Sequence, residues 1–126
     1  LIQKFCEGKP TFFYTAKAWK DPYQLDRFSQ AVGTFCGNPK LRYLEWTSAL
    51  RALATRPSPA RKVIVIDEFQ YIAKERPSIL SELQVLWDEE LSRENILLVL
   101  CGSPCLLSPK KFWEKRILFT GEREPS

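Results

Sequence analysis

The 126-residue sequence contains no histidine. That absence removes most zinc sites and every catalytic pair in which imidazole activates a serine or a cysteine. Long hydrophobic runs are missing too: none approaches the roughly 20 residues that cross a bilayer as a helix. The amphipathic stretch from Leu1 to Phe5 is short and no cleavage-site pattern follows it, so no signal peptide is read there and no membrane role is expected. Four cysteines (Cys6, Cys36, Cys101 and Cys105) form no C-x-x-C pair, and Cys101 falls inside an apolar run. Free structural thiols in a reducing cytoplasm are therefore expected. Internal repeats and low-complexity tracts are absent. The chain opens on leucine instead of methionine, which suggests a fragment or a processed product.

What is present is ordinary for a globular chain. Hydrophobic residues make up 44% and charged residues 27%, enough for one domain with a sizeable core. Nineteen basic and 15 acidic side chains leave a net charge of +4. The basic residues are scattered, apart from Lys110-Lys111 and Lys115-Arg116. Nucleic-acid contact by the stretch from Lys110 to Arg116 is thus left without positive support, since a charge run of this kind is usually a solvated face.

The most informative stretch is Lys62-Val63-Ile64-Val65-Ile66-Asp67-Glu68-Phe69-Gln70-Tyr71. Four β-branched apolar residues in a row read as a strand buried on both faces, as inside a parallel sheet. Two carboxylates stand where that strand must end, and open α/β sheets place their ligands just beyond the carboxyl ends of their strands. An apolar strand closing on Asp-Glu is the Walker B pattern of nucleotide hydrolases. The local pattern fits equally well a core strand whose first loop residues happen to be acidic.

Around this stretch, strands and helices alternate. Leu1, Ile2 and Phe5 share one face of a helix that Gly8 and Pro10 end. Thr11 to Thr15 is aromatic and β-branched and reads as a strand. Asp21-Pro22 opens a helix carrying Leu25, Phe28, Val32 and Phe35 at intervals of three and four, and Gly37-Asn38-Pro39 closes it. A second helix carries Trp46, Leu50, Leu53 and Ala54, and Pro57-Ser58-Pro59 turns the chain into the central strand. Beyond that strand, Ser78 is a candidate N-cap for a helix bearing Ile79, Leu83, Leu86, Trp87 and Leu91. Ile96 to Cys101 is another doubly buried strand and ends in Gly102-Ser103-Pro104. Near the C-terminus Ile117-Leu118-Phe119 is the only strand-like run. The class is α/β, a parallel sheet with right-handed crossovers.

Two neighbouring strands that both end in polar turns strengthen the Walker B reading. In it, Asp67 binds Mg²⁺ or the waters around it, and Glu68 polarises the attacking water as a general base. Ser103 contacts the γ-phosphate or that water from the next strand. For Ser103 a plain Gly-Ser-Pro turn is the competing account.

Ile64 to Ile72 resembles the Walker B segment of the archaeal-type ATPases within the P-loop AAA+/STAND superfamily. Leu86-Trp87-Asp88-Glu89-Glu90 and Leu98-Val99-Leu100-Cys101-Gly102-Ser103 resemble that family's next helix and sensor strand, and Leu1 to Pro10 resembles the helix after its P-loop. The resemblance spans residues 1–107; residues 108–126 form a charged segment that matches poorly. It implies a partial, three-layer P-loop NTPase-like fold with flanking helices, ATP and Mg²⁺ as ligands, and ATP hydrolysis in the intact protein.

The departures are as specific. No G-x-x-x-x-G-K-[ST] segment occurs, and Gly8-Lys9 lacks the upstream glycine and runs into Pro10. Leu1 aligns just past the position of the P-loop's Lys-Ser/Thr, so the P-loop strand is missing and this chain is expected to bind ATP weakly or not at all. Without that strand the edge of Ile96 to Cys101 is expected to lie open, favouring self-association. The alternative reading is a P-loop-less relative retained as a protein-interaction module, using that edge and the helix bearing Trp87 and Leu91. A Gly-rich Gly-Lys-Ser/Thr segment encoded in frame directly upstream would favour the fragment, and a start codon just before Leu1 the module.

Overall fold

Three runs of β-branched and aromatic residues lie side by side as a parallel sheet. The computed structural model describes residues 10–58, 60–102 and 116–120. Thr11–Thr15 forms β1, Lys62–Asp67 forms β2 and Ile96–Cys101 forms β3. Their registers set Thr15 beside Asp67 and Ile66 beside Leu100, so all three carboxyl ends fall along one rim of the sheet. The expected helix over Leu1 to Gly8, together with Cys6, Ser103 and Cys105, lies outside the described residues.

Four helices make the connections: α1 (Asp21–Phe35), α2 (Trp46–Thr55), α3 (Gln70–Glu75) and α4 (Ile79–Glu89). Strands β1, β2 and β3 are adjacent in chain order. Two successive crossovers of one hand that step the same way must lie on the same face of a sheet. Accordingly, Phe12, Tyr14, Ile64, Ile66, Leu98 and Leu100 join residues from all four helices in one core. Val63, Val65, Leu97 and Val99 form a separate buried cluster on the opposite face. Among the described residues, the sheet and one helical layer thus make two of the three layers that were expected.

The aromatic contacts that join the layers are edge-on, the arrangement ring quadrupoles favour. Phe28 meets Phe12 at 5.6 Å and Tyr14 at 5.1 Å between centroids, and leans on Trp46 at 4.9 Å. The helix boundaries follow the local chemistry. Proline sits in the first turn of α1, and the Trp46 indole N–H donates to Asp21 Oδ1 at 2.9 Å, fastening α2 to the start of α1. At the other end Gly37 takes φ 87°. There the Asn38 N–H donates to the Gly33 carbonyl at 2.7 Å and Gly37 N–H to that of Thr34 at 3.2 Å, the paired bonds of a Schellman closure. A side chain at Gly33 would stand 2.4 Å from the Asn38 carbonyl oxygen, so the closure requires glycine there.

Two polar devices inside the core were not visible in the sequence. Gln24 is buried and accepts from the Tyr14 hydroxyl (2.8 Å) and the Lys17 N–H (3.2 Å), while its amide donates back to the Lys17 carbonyl. Burial pushes the Tyr14 phenol up to about 12. Lys62 is only 2% exposed, and its ammonium donates to the carbonyls of Leu53 (2.7 Å), Ala54 (3.3 Å) and Arg56. A cation at the C-terminus of α2 satisfies carbonyls the helix leaves open and opposes the helix dipole. Desolvation nevertheless lowers the lysine's pKa from its ordinary value.

Several expectations require correction. The outer edge of β3 is not open. Arg116–Thr120 forms β4 and pairs with it antiparallel, Leu98 beside Phe119 and Val99 beside Leu118. The sheet is therefore mixed, in the order β1-β2-β3-β4. The physical reason is the one that made the open edge a liability: unpaired main-chain groups on an apolar strand capture the nearest β-prone segment, here the chain's own Ile117-Leu118-Phe119. Trp87 and Leu91 are core residues, 8% and 1% exposed, and cannot form a partner surface. Leu91 belongs not to α4 but to the 3₁₀ turn Leu91–Arg93. Ser78 precedes α4 without capping it; its hydroxyl donates to the Glu82 carboxylate at 2.6 Å. Helix α3 escaped the sequence because six residues are too few to show a period. Cys36 and Cys101 are half-buried.

Candidate functional site

At the carboxyl end of β2 the chain stops being a strand within one residue. The Asp67 carbonyl still accepts a ladder bond from the Ala16 N–H at 2.9 Å, whereas Glu68 has turned to φ 56°. Glu68 is the only described non-glycine residue with a positive φ. A left-handed conformation costs an L-residue about 1–2 kcal/mol. Local bonds hold it: the Glu68 N–H donates to Asp67 Oδ1 at 2.9 Å, and Phe69 N–H donates to the Cys101 carbonyl of β3 at 2.8 Å.

The turn therefore bridges the ends of β2 and β3. Both carboxylates are half-buried. Gln70, at the start of α3, is 2% exposed and donates from Nε2 to Glu68 Oε1 at 2.8 Å, fixing one carboxylate oxygen and leaving the other for a second partner. Behind Gln70 stands Gly102, where an added side chain would come within 2.8 Å of Gln70 Oε1. Glycine at that position lets the end of β3 approach the turn. Asp67 and Glu68 are thus brought together beside the β3 terminus as expected; Ser103 lies one residue past the described part of that strand.

Sequence reasoning missed Gln70 as part of the site. Its signal was faint: one amide between Phe69 and Tyr71, two residues after Glu68. The strain on Glu68 left no sequence signal, because glutamate is not a residue that marks left-handed turns.

The strain supplies a test. Glu68→Gly removes the conformational penalty and is expected to raise stability by about 0.5–1 kcal/mol, after the greater chain entropy of glycine is set against the relief. Urea denaturation of the two proteins measures it; a variant less stable than the parent would show that Glu68 holds the turn instead of being held by it.

Hard carboxylate oxygens suit Mg²⁺, which typically takes one or two carboxylates and completes its shell with water and substrate phosphates. Among the described residues no group of three or more His, Cys, Asp or Glu side chains could hold a metal ion. The carboxylates of Asp67 and Glu68 have the chemistry Mg²⁺ takes, and by themselves they do not make an all-protein metal centre. No described helix is long and apolar enough to cross a membrane.

No protein-family profile matches the chain, and no solved structure matches it. Over 50 residues it is 38% identical to the uncharacterized protein MJ0424 of Methanocaldococcus jannaschii, a match covering 40% of this chain and 48% of that protein. The chain thus spans about half the length of the curated relative it matches.

Proposed function

We propose that this chain is the partial nucleotide-binding domain of an archaeal-type AAA+/STAND ATPase, whose intact form binds and hydrolyses ATP. The observation that carries the reading is the turn at the end of β2. A strained glutamate follows an aspartate at the rim of a parallel sheet, and a buried glutamine orients its carboxylate. Strain of this kind persists only where the surroundings over-determine it, and it concentrates at functional sites.

In this reading Glu68 accepts the proton of the water that attacks the γ-phosphate, with Gln70 keeping its carboxylate in place. Asp67 is the residue that would hold Mg²⁺, directly or through water, and the ion would neutralise charge building up on the phosphates. Ser103 is assigned the sensor role. The sequence has no Gly-rich phosphate cradle, so binding by this chain alone is expected to be weak or absent. Isothermal titration with Mg-ATP tests this, on the chain as given and on one extended upstream through a Gly-Lys-Ser/Thr loop. Heat of binding is expected from the extended chain alone. Micromolar binding by the short chain would refute the incompleteness, and none by either would refute the ATPase reading.

A further inference from the structure

We infer that the loop over residues 16–20 and one strip of α1 form a surface that binds single-stranded nucleic acid without sequence preference. Such surfaces combine cations that track the phosphates with aromatic rings on which bases stack. Both parts are present. Trp19 and Tyr23 meet edge-on, 4.9 Å between centroids at an interplanar angle of 84°. Tyr23 is 50% exposed and Trp19 is half-buried. Stacked face to face, the two rings would cover each other; the edge-on pair leaves ring face open to a base.

Three exposed cations accompany the pair: Lys17, Lys20 and, one helical turn beyond Tyr23, Arg27. The acidic neighbours are engaged elsewhere. Asp21 accepts the Trp46 indole N–H at 2.9 Å and faces Arg76 at 3.8 Å, and Asp26 pairs with Arg42 at 2.8 Å. Lys17 and Arg27 form no ion pair with a described carboxylate, and Lys20 meets Glu75 only at 3.9 Å, with its own side chain 86% exposed. A pair that long and that exposed holds the lysine weakly. The patch therefore presents positive charge that the fold itself does not use.

The loop is held from within. Buried Gln24 accepts from the Lys17 N–H at 3.2 Å, and the Lys17 carbonyl accepts from both the Gln24 amide and the Trp19 N–H, the latter at 2.8 Å. These bonds fix the main chain that carries Lys17 and Trp19. From there Tyr23, Arg27, Gln30 and Thr34 follow at intervals of four, three and four along one face of α1. Trp19, Arg27, Gln30 and Thr34 line one open groove of about 650 Å³. A guanidinium, an amide and a hydroxyl in line offer donors to successive phosphates. An anionic membrane fits less well. The exposed chain neighbours of the pair, Lys17, Ala18, Lys20 and Pro22, include no large aliphatic side chain to sink among acyl chains.

Fluorescence anisotropy with labelled oligothymidylate and oligouridylate is expected to show binding to this chain at low salt. The affinity should fall with salt at a logarithmic slope of about −2, as three phosphate contacts require. The tighter of the two oligonucleotides tells whether the strand is DNA or RNA. Tyr23→Ala should weaken binding about fivefold or more, and Arg27→Gln should weaken it and flatten the slope by about 0.7. Reversing the charge of Lys110 and Lys111 together should leave binding close to the parent's. Both substituted positions on α1 are exposed, and circular dichroism matching the parent's shows that the variants keep the fold. The proposal is overturned by a chain that binds neither oligonucleotide at low salt, or by Y23A or R27Q chains that bind like the parent. Loss of binding on reversing Lys110 and Lys111 instead, or binding to phosphatidylserine vesicles but to neither oligonucleotide, overturns it equally.

Discussion

On the proposed ATPase reading, Glu68→Gln, made in a chain extended upstream through a Gly-Lys-Ser/Thr loop, is expected to slow ATP hydrolysis by about 10²–10⁴-fold, the usual contribution of a positioned general base. ATP affinity should stay within a few-fold of the parent, since glutamine keeps the size of the side chain and removes only its capacity to take a proton. The geometry makes the substitution clean. The left-handed backbone at Glu68 is held by main-chain bonds to Asp67 Oδ1 and from Phe69 to Cys101, neither of which involves the substituted carboxylate. Gln70 can still donate to the new amide's oxygen as it does to Glu68 Oε1. Single-turnover hydrolysis alongside equilibrium nucleotide binding separates the two effects. A variant that hydrolyses ATP at close to the parent's rate would remove Glu68 from the chemistry.

Lys62→Met is expected to cost about 2–4 kcal/mol of folding stability, far more than the loss of a surface lysine. Methionine fills a similar volume, so the loss is not a cavity effect. It comes from the carbonyls of Leu53, Ala54 and Arg56, which would be left near a thioether that cannot donate to them. The alternative outcome is also defined. Desolvation already disfavours the charged lysine, and if that penalty matched the gain from three acceptors the substitution would be close to neutral. The shift in urea midpoint at unchanged slope distinguishes them, and a change below about 1 kcal/mol would show that the buried ammonium is tolerated without being needed.

The elements legible in the sequence were those with a strong period or composition. The doubly apolar runs at Val63–Ile66 and Ile96–Leu100, the spacing of Leu25, Phe28 and Val32, and the Gly37 closure all appear where expected, because each is fixed by contacts within a few residues or by one buried face. What escaped depends on distant partners. Arg116–Thr120 becomes a sheet strand only because β3 offers it an edge, and Ile117-Leu118-Phe119 alone could not say which way it would run. The place of Asp67 and Glu68 at the strand end followed from the pattern. The inward aim of Gln70 and the close approach of Gly102 did not, since both are set by how the ends of two strands meet.

The adjacency of β1, β2 and β3 in chain order bears on how this sheet can be assembled. Each strand joins the outside of what is already in place, and its crossover helices settle on a face that is still accessible. None of the described strands has to be threaded between two earlier described ones. A chain leaving the ribosome from its N-terminus can thus grow this sheet by accretion, each new strand finding its template already made, and β4 closes the growing side last.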